Sequence, residues 1–116
     1  MKTYVIEVCG VKRQLPLIKI NDSLSFGSFV IIGDTELISA CAGPLAEKIG
    51  PVDAIVTAEA KGIALAYEVS RKLNLKEFIV ARKSVKNYMQ DVVAHEVNSI
   101  TTAGTQKLYL DGIDAA

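Results

Sequence analysis

No surplus of either charge sign marks this sequence: thirteen Lys and Arg face thirteen Asp and Glu, a formal net charge of zero. A general nucleic-acid binder usually carries a basic excess for its phosphate contacts, so that class is set aside. Histidine occurs once, at His95, and the two cysteines, Cys9 and Cys41, lie far apart with no CxxC or Cys/His spacing. A His-rich zinc site or a Cys–His nucleophilic pair is therefore not expected, and no metal ligand is assigned. Both cysteines sit among apolar residues and read as small buried hydrophobes in a reducing compartment, and nothing asks for a disulfide. No apolar run approaches the ~20 residues needed to cross a bilayer, and the N-terminus lacks a signal-peptide pattern. The expectation is a cytoplasmic protein with no membrane contact. Internal repeats and low-complexity linkers are absent as well.

What is present suits one small domain. The 116 residues are 50% hydrophobic and 22% charged, with 8 Gly and 3 Pro, a balance that folds around a single core. Lys2 to Val8, rich in β-branched and aromatic residues, predicts a strand, with a turn at Cys9-Gly10. Leu15, Leu17, Ile18 and Ile20 continue in that style, and Pro16 places the second strand at an edge or at its own beginning. Asn21-Asp22-Ser23 breaks the pattern, and Leu24 to Phe29 reads as a loop or a short apolar element.

Asp34 suits the N-cap of a helix over 35–49, with Leu37, Ile38, Cys41, Leu45 and Ile49 on its buried face. Pro44 falls inside that span, so a kink or a restart is expected there. Next come a buried strand over 52–56, a loop of small residues, and a helix from about Gly62 to Leu73 with Ile63, Ala66, Val69 and Leu73 on one face. Phe78 to Ala81 is a second apolar run suited to a strand covered on both faces. Strand, helix and strand then form a parallel, right-handed βαβ unit. Val92 to Thr101 and Gln106 to Asp111 read as an antiparallel pair around a turn at Thr102-Ala103-Gly104.

Two loops carry the chemistry. Thr57-Ala58-Glu59-Ala60-Lys61-Gly62 contains neither GxxxxGK[ST] nor GxGxxG, so it is neither a Walker A loop nor a dinucleotide fingerprint. It does offer backbone N–H groups at a helix start, one lysine, and a glycine that lets a ligand approach. An ordinary βα turn has the same composition. Glu59 could hold a metal, bond to the loop itself, or face water. The second segment, Arg82-Lys83-Ser84-Val85-Lys86-Asn87-Tyr88, leaves the end of the next strand. Ligands of parallel α/β sheets bind at that carboxyl edge, so both loops belong on one side. Several cations beside backbone donors suit a ligand with several phosphates, and a solvated basic loop is the plain alternative. His95, Tyr4, Tyr67 and Tyr109 read as structural.

Together, Ile55 to Ile63 and Val80-Ala81-Arg82-Lys83-x-x-Lys86-x-Tyr88 resemble the type I phosphoribosyltransferases, above all their purine branch of adenine and xanthine enzymes. The resemblance spans nearly the whole chain, flap and leading helix included. It implies that Glu59, Ala60, Lys61 and Gly62 bind diphosphate and that Arg82, Lys83, Lys86 and Tyr88 form the catalytic loop. It implies transfer of 5-phosphoribosyl from 5-phosphoribosyl 1-diphosphate to a purine base, with Mg²⁺ held mainly through that substrate, and a homodimer. Phe26 becomes the candidate base-stacking residue, with core packing as the other role for it and for Phe29.

The family's most specific signature is an apolar strand ending in an acidic pair, followed by a loop ending in Thr-Gly that binds ribose 5-phosphate. It is expected shortly after a segment like Leu108 to Ala116, and Asp111 and Asp114 do not compose it. The fold expected is thus α/β and incomplete: a small parallel sheet with flanking helices, an N-terminal antiparallel flap and a C-terminal β-hairpin. Residues 1–33 would form the flap and 34–116 the core of a single domain. This segment by itself is expected to turn over weakly or not at all, since positioning the reacting carbon depends on the absent loop. The alternative is a non-catalytic relative that senses a phosphorylated nucleotide precursor. A scaffold whose basic loop only makes a dimer contact is the third.

Overall fold

A computed structural model describes residues 2–98 and 105–115. The chain opens with an antiparallel meander of β1 (Thr3–Val8), β2 (Val11–Asn21) and β3 (Leu24–Gly27), in the order β1-β2-β3. Val8 pairs with Val11, leaving a two-residue connection in which Cys9 and Gly10 have φ of 50° and 79°. Positive φ at both central positions matches the right-handed twist of the flanking strands, which is why this turn closes the hairpin tightly. At the second turn Asn21 Oδ1 accepts from the Ser23 N–H at 2.9 Å. The flap is present as expected, and Leu24–Gly27 resolves as a strand.

Pro16 corrects the edge expectation. It lies mid-way along the central strand, where β2 changes neighbour: Thr3 pairs with Pro16, and Leu17 pairs with Gly27. The Pro16 carbonyl accepts from Ser28 N–H at 2.8 Å, so its nitrogen faces the same side, where β3 has just ended. The missing donor therefore costs no ladder bond.

Helix α1 spans Thr35–Ile49 in one run through Pro44, so the chain does not restart there. Asp34 Oδ1 caps it by accepting from Leu37 N–H at 3.1 Å. The same carboxylate accepts from Arg13 at 2.8 and 3.0 Å, and Arg13 also reaches Glu36 at 2.7 Å. One arginine of β2 thus pins the flap to the start of the core helix. Arg13, followed by the Leu37 amide, holds the Asp34 carboxyl below its ordinary range. Stability from this group is fully present above the unfolded Asp pKa of about 3.9 and is lost as pH falls through the lowered folded value. Asp34→Asn keeps a capping oxygen and removes the charge, so it should flatten the acid limb of thermal midpoint against pH. An unchanged acid limb would show that Asp34 does not carry it.

The βαβ unit follows as β4 (Val56–Ala58), α2 (Ile63–Lys72) and β5 (Ile79–Ala81), with parallel register Val56↔Ile79, Thr57↔Val80 and Ala58↔Ala81. Helix α2 ends in a paired reverse turn: Leu75 N–H donates to Ser70 O, Asn74 N–H to Arg71 O, and Asn74 takes φ 59°. Two expectations are corrected here. The strand starts at Val56 rather than Val52, so Thr57 and Ala58 belong to it and not to the loop. Nor is this strand buried as expected, since Val56 is 58% exposed. Hydropathy alone could not separate a buried strand from an open one.

The core lies between the two helices. Ala42 and Ala46 of α1 meet Val69 of α2, with Ile49, Ile55, Leu65 and Leu73 packed around them. Leu37, Ile38, Cys41 and Ala66 are also buried, whereas Leu45 is 36% exposed. The buried face of α1 therefore drifts one residue from the expected stripe, because alanines let the helices approach where a leucine would hold them apart. The accessible surface is 8226 Å², against about 6,200 Å² for a compact monomer of this mass. The core is thin for the length of the chain.

Strands β6 (Val93–Asn98) and β7 (Thr105–Leu110) pair antiparallel, and α3 (Gly112–Ala115) follows. The turn expected at Thr102-Ala103-Gly104 lies outside the described residues. Arg82 and Tyr109 exchange backbone bonds of 2.8 Å in each direction, which docks β7 onto the end of β5. The architecture is mixed α/β. Among the described residues no helix is long and apolar enough to cross a membrane.

Candidate functional site

Parallel pairing of β4 with β5 places the loops after both strands at one carboxyl edge. The join continues past the strands, since Glu59 N–H donates to Ala81 O at 2.9 Å. Glu59 Oε1 then accepts from Arg82 Nε at 2.6 Å and from Lys83 N–H at 3.2 Å. The Arg82 Nη1 donates to the Tyr88 hydroxyl at 3.0 Å. Glu59 takes a role outside the three expected for it, tying its own loop to the basic loop that follows β5. Glu59 and Arg82 are roughly a quarter to a third exposed, so the pair is half-buried and water-screened on one side.

The electrostatics follow from these contacts. Arg82, then the Lys83 amide, holds the Glu59 carboxyl below its ordinary range, against the opposing effect of desolvation. Glu59, with Tyr88 adding to it, raises the Arg82 guanidinium. Lys61 and Lys83 are exposed, and Lys86 Nζ donates to Ser84 Oγ at 2.7 Å. Arg82 and, at longer range, Lys86 are thus the cations that act on the Glu59 carboxylate.

Helix α2 supplies donors of another kind. Its N-cap is Gly62, and no side chain caps it. Ile63 N–H bonds to Ala60 O at 3.2 Å, and Gly62 O accepts from Ala66 N–H at 2.9 Å. The amides of Ala64 and Leu65 have no partner among the described residues. Such amides, at the positive end of the helix, favour an anion. The opposite treatment of α1, capped by an aspartate, shows how the sequence separates a structural helix start from an open one.

Gly62 is required by its neighbour across the loop. A Cβ at this position would collide with Thr57 Oγ1. Gly62→Ala should cost about 1–3 kcal/mol by overpacking, and Thr57→Ala in the same chain should recover most of that loss. Urea unfolding of the single and double variants checks the coupling. Additive costs would mean that Thr57 is not the obstacle.

Comparison with models of known protein families gives no match. Comparison with curated protein sequences gives none either.

Of the residues singled out from sequence, Glu59, Arg82, Lys83 and Tyr88 form one bonded group, with Lys86 near enough to act on the Glu59 carboxylate and Lys61 exposed on the loop that precedes α2. Ala60 and Gly62 shape the loop between β4 and α2. Phe26 stands apart on β3, half-buried opposite Ile18, and does not line the ≈ 360 Å³ cavity at Thr57 and Gly62. Thr57 was missed as a shaping residue. Its signal was available only as a β-branched hydroxyl five positions before a helix-opening glycine.

Asp111 has a different employment. Its Oδ1 accepts from Gln90 N–H at 3.2 Å and Ile113 N–H at 3.1 Å, fastening the end of the basic loop to α3. A Cβ on Gly112 would run into the backbone carbonyls of Gln90 and Asp91, so this junction is close-packed. The basic loop is thereby anchored at both ends, by Glu59 and by Asp111.

Proposed function

We propose that the carboxyl edge of β4 and β5 binds a diphosphate group, as in a purine phosphoribosyltransferase that takes 5-phosphoribosyl 1-diphosphate as donor. The observation that carries this reading is the convergence of the Glu59–Gly62 loop and the Arg82–Tyr88 loop through the Glu59–Arg82 bond. Lys61, the free amides of Ala64 and Leu65, and the Arg82 end not used by Glu59 and Tyr88 would contact phosphate oxygens. Lys83 and Lys86 would neutralise charge gathering on departing diphosphate. Glu59 holds the two loops together and keeps its negative charge away from the ligand by spending it on Arg82.

Mg²⁺ is not required from the protein in this reading. The only carboxylate of the two loops, Glu59, is committed to Arg82 and Lys83, which leaves no cage for a metal. The ion's chemistry would be to screen the phosphates to which it is already bound.

Binding without turnover, as in a relative that senses a phosphorylated nucleotide precursor, is the second reading. Calorimetric titration with diphosphate, and separately with 5-phosphoribosyl 1-diphosphate, each with Mg²⁺, tests the proposal. Heat with either ligand supports the anion site, and release of diphosphate on adding a purine would separate transfer from sensing. A folded sample that binds neither ligand would overturn both readings.

A further inference from the structure

Cys9 and Cys41, distant in sequence, line one cavity in the fold. Cys9 stands in the tight turn between β1 and β2 and is exposed, which corrects the expectation that both cysteines are buried. Cys41 is buried on α1. Both line one cavity of ≈ 320 Å³ between the flap and the helix, with Val8, Phe29, Ile31 and Leu45 among its walls. Burial pushes the Cys41 thiol up, and the neighbouring Cys9 thiol adds to that shift. Cys9 is thus open to solvent and Cys41 sheltered, on the walls of one shared cavity.

We infer that Cys9 and Cys41 form a reactive dithiol site that a low-molecular-weight disulfide converts to an intramolecular disulfide, fastening the β1–β2 hairpin to α1. Cys9 attacks first because it is the exposed member. Its thiolate bonds to one sulfur of the external disulfide, that S–S bond breaks, and one external thiol leaves with the proton Cys9 gave up. Cys41, deprotonated in turn, attacks the Cys9 sulfur of the mixed disulfide and expels the second external thiol. Two protein thiols are oxidised by two electrons, and one disulfide is reduced to two thiols. The cross-link joins the flap, otherwise pinned through Arg13, to the middle of the core helix.

The test uses the full chain treated with oxidised glutathione, then analysed by intact mass and by non-reducing peptide mapping. The expected result is loss of two hydrogens with no retained glutathione, a peptide joining Cys9 to Cys41, and a thermal midpoint raised by roughly 10 °C. Cys9→Asn, chosen because asparagine tolerates the positive φ, and Cys41→Ala should each abolish the shift. As a measurement independent of any variant, phenylarsine oxide should bind the reduced wild-type chain and resist displacement by a monothiol, since it bridges two nearby thiols. A persistent glutathione adduct on Cys9, a Cys9–Cys9 linked dimer, or an arsenical that a monothiol displaces would each overturn the inference.

Discussion

Diphosphate titrated into this chain with Mg²⁺ is expected to bind, and Lys61→Ala and Arg82→Ala should each weaken it by roughly 10- to 100-fold, the usual loss for a charge-assisted contact. The two variants differ in what else they disturb. Lys61 is exposed and makes no bond among the described residues, so its loss should leave unfolding unchanged and read out on affinity alone. Arg82→Ala also strands Glu59 beside an anionic ligand. Its affinity loss should therefore be the larger, and a small loss of stability should accompany it. Glu59→Gln separates these effects, because it removes the negative charge and releases Arg82 for the ligand. Tighter diphosphate binding with a looser loop is the expected outcome there. Raising salt should weaken wild-type binding steeply, since the contacts are exposed charges. Equal affinity across wild type, Lys61→Ala and Arg82→Ala would sink the assignment.

The pH dependence of that binding has a definite sign. The Glu59 carboxyl is held below its ordinary range by Arg82, so the tie between the loops is intact at neutral pH. It persists below the unfolded Glu pKa of about 4.3 and is lost only as pH falls through the lowered folded value. Neutral-pH titrations therefore sample one state of the site.

Leu37→Ala should have the largest effect on stability, about 2–5 kcal/mol for deleting a buried leucine. Leu37 is 1% exposed on the first turn of α1, directly after the Asp34 cap and beneath the cavity lined by Pro16 and Phe29. It is among the two largest side chains that are fully buried, the other being Val69. A domain has some 5–15 kcal/mol of stability in all, and this core is built largely from alanines. Removing Leu37 should leave a chain partly unfolded at room temperature. A urea midpoint within error of wild type would show that the flap and β-hairpin, and not the helix pair, carry the stability.

Much of this architecture was legible in the chain because its strongest signals are local. Asp34 before an apolar repeat gave α1 its limits of 35 and 49, and Gly62 marked the start of α2. Cys9-Gly10 announced a hairpin whose turn indeed needs positive φ at both positions. The failures are of a different kind. Val52 to Val56 looked buried because hydropathy reports what a strand could hide and not whether anything lies over it. Pro16 looked like an edge because its permitted place depends on where β3 stops, which no local rule encodes. The basic loops were legible as charges, but their union through Glu59 and Arg82 required the parallel register of β4 and β5. Cys9 and Cys41 had no spacing to betray them, since a turn and a helix face bring them to one cavity.

The ladder between β4 and β5 fixes which amides are sheltered. Ile79 N–H donates to Ile55 O and Glu59 N–H donates to Ala81 O, so odd-numbered residues of this stretch face β5. Val56 and Ala58 then direct their N–H groups to the opposite, open edge, where no partner occurs among the described residues. In deuterated water the Thr57 amide should retain its proton long after those on either side have exchanged. The alternation makes Val56 and Ala58 a built-in gauge, slowing only when another strand comes to lie along that edge.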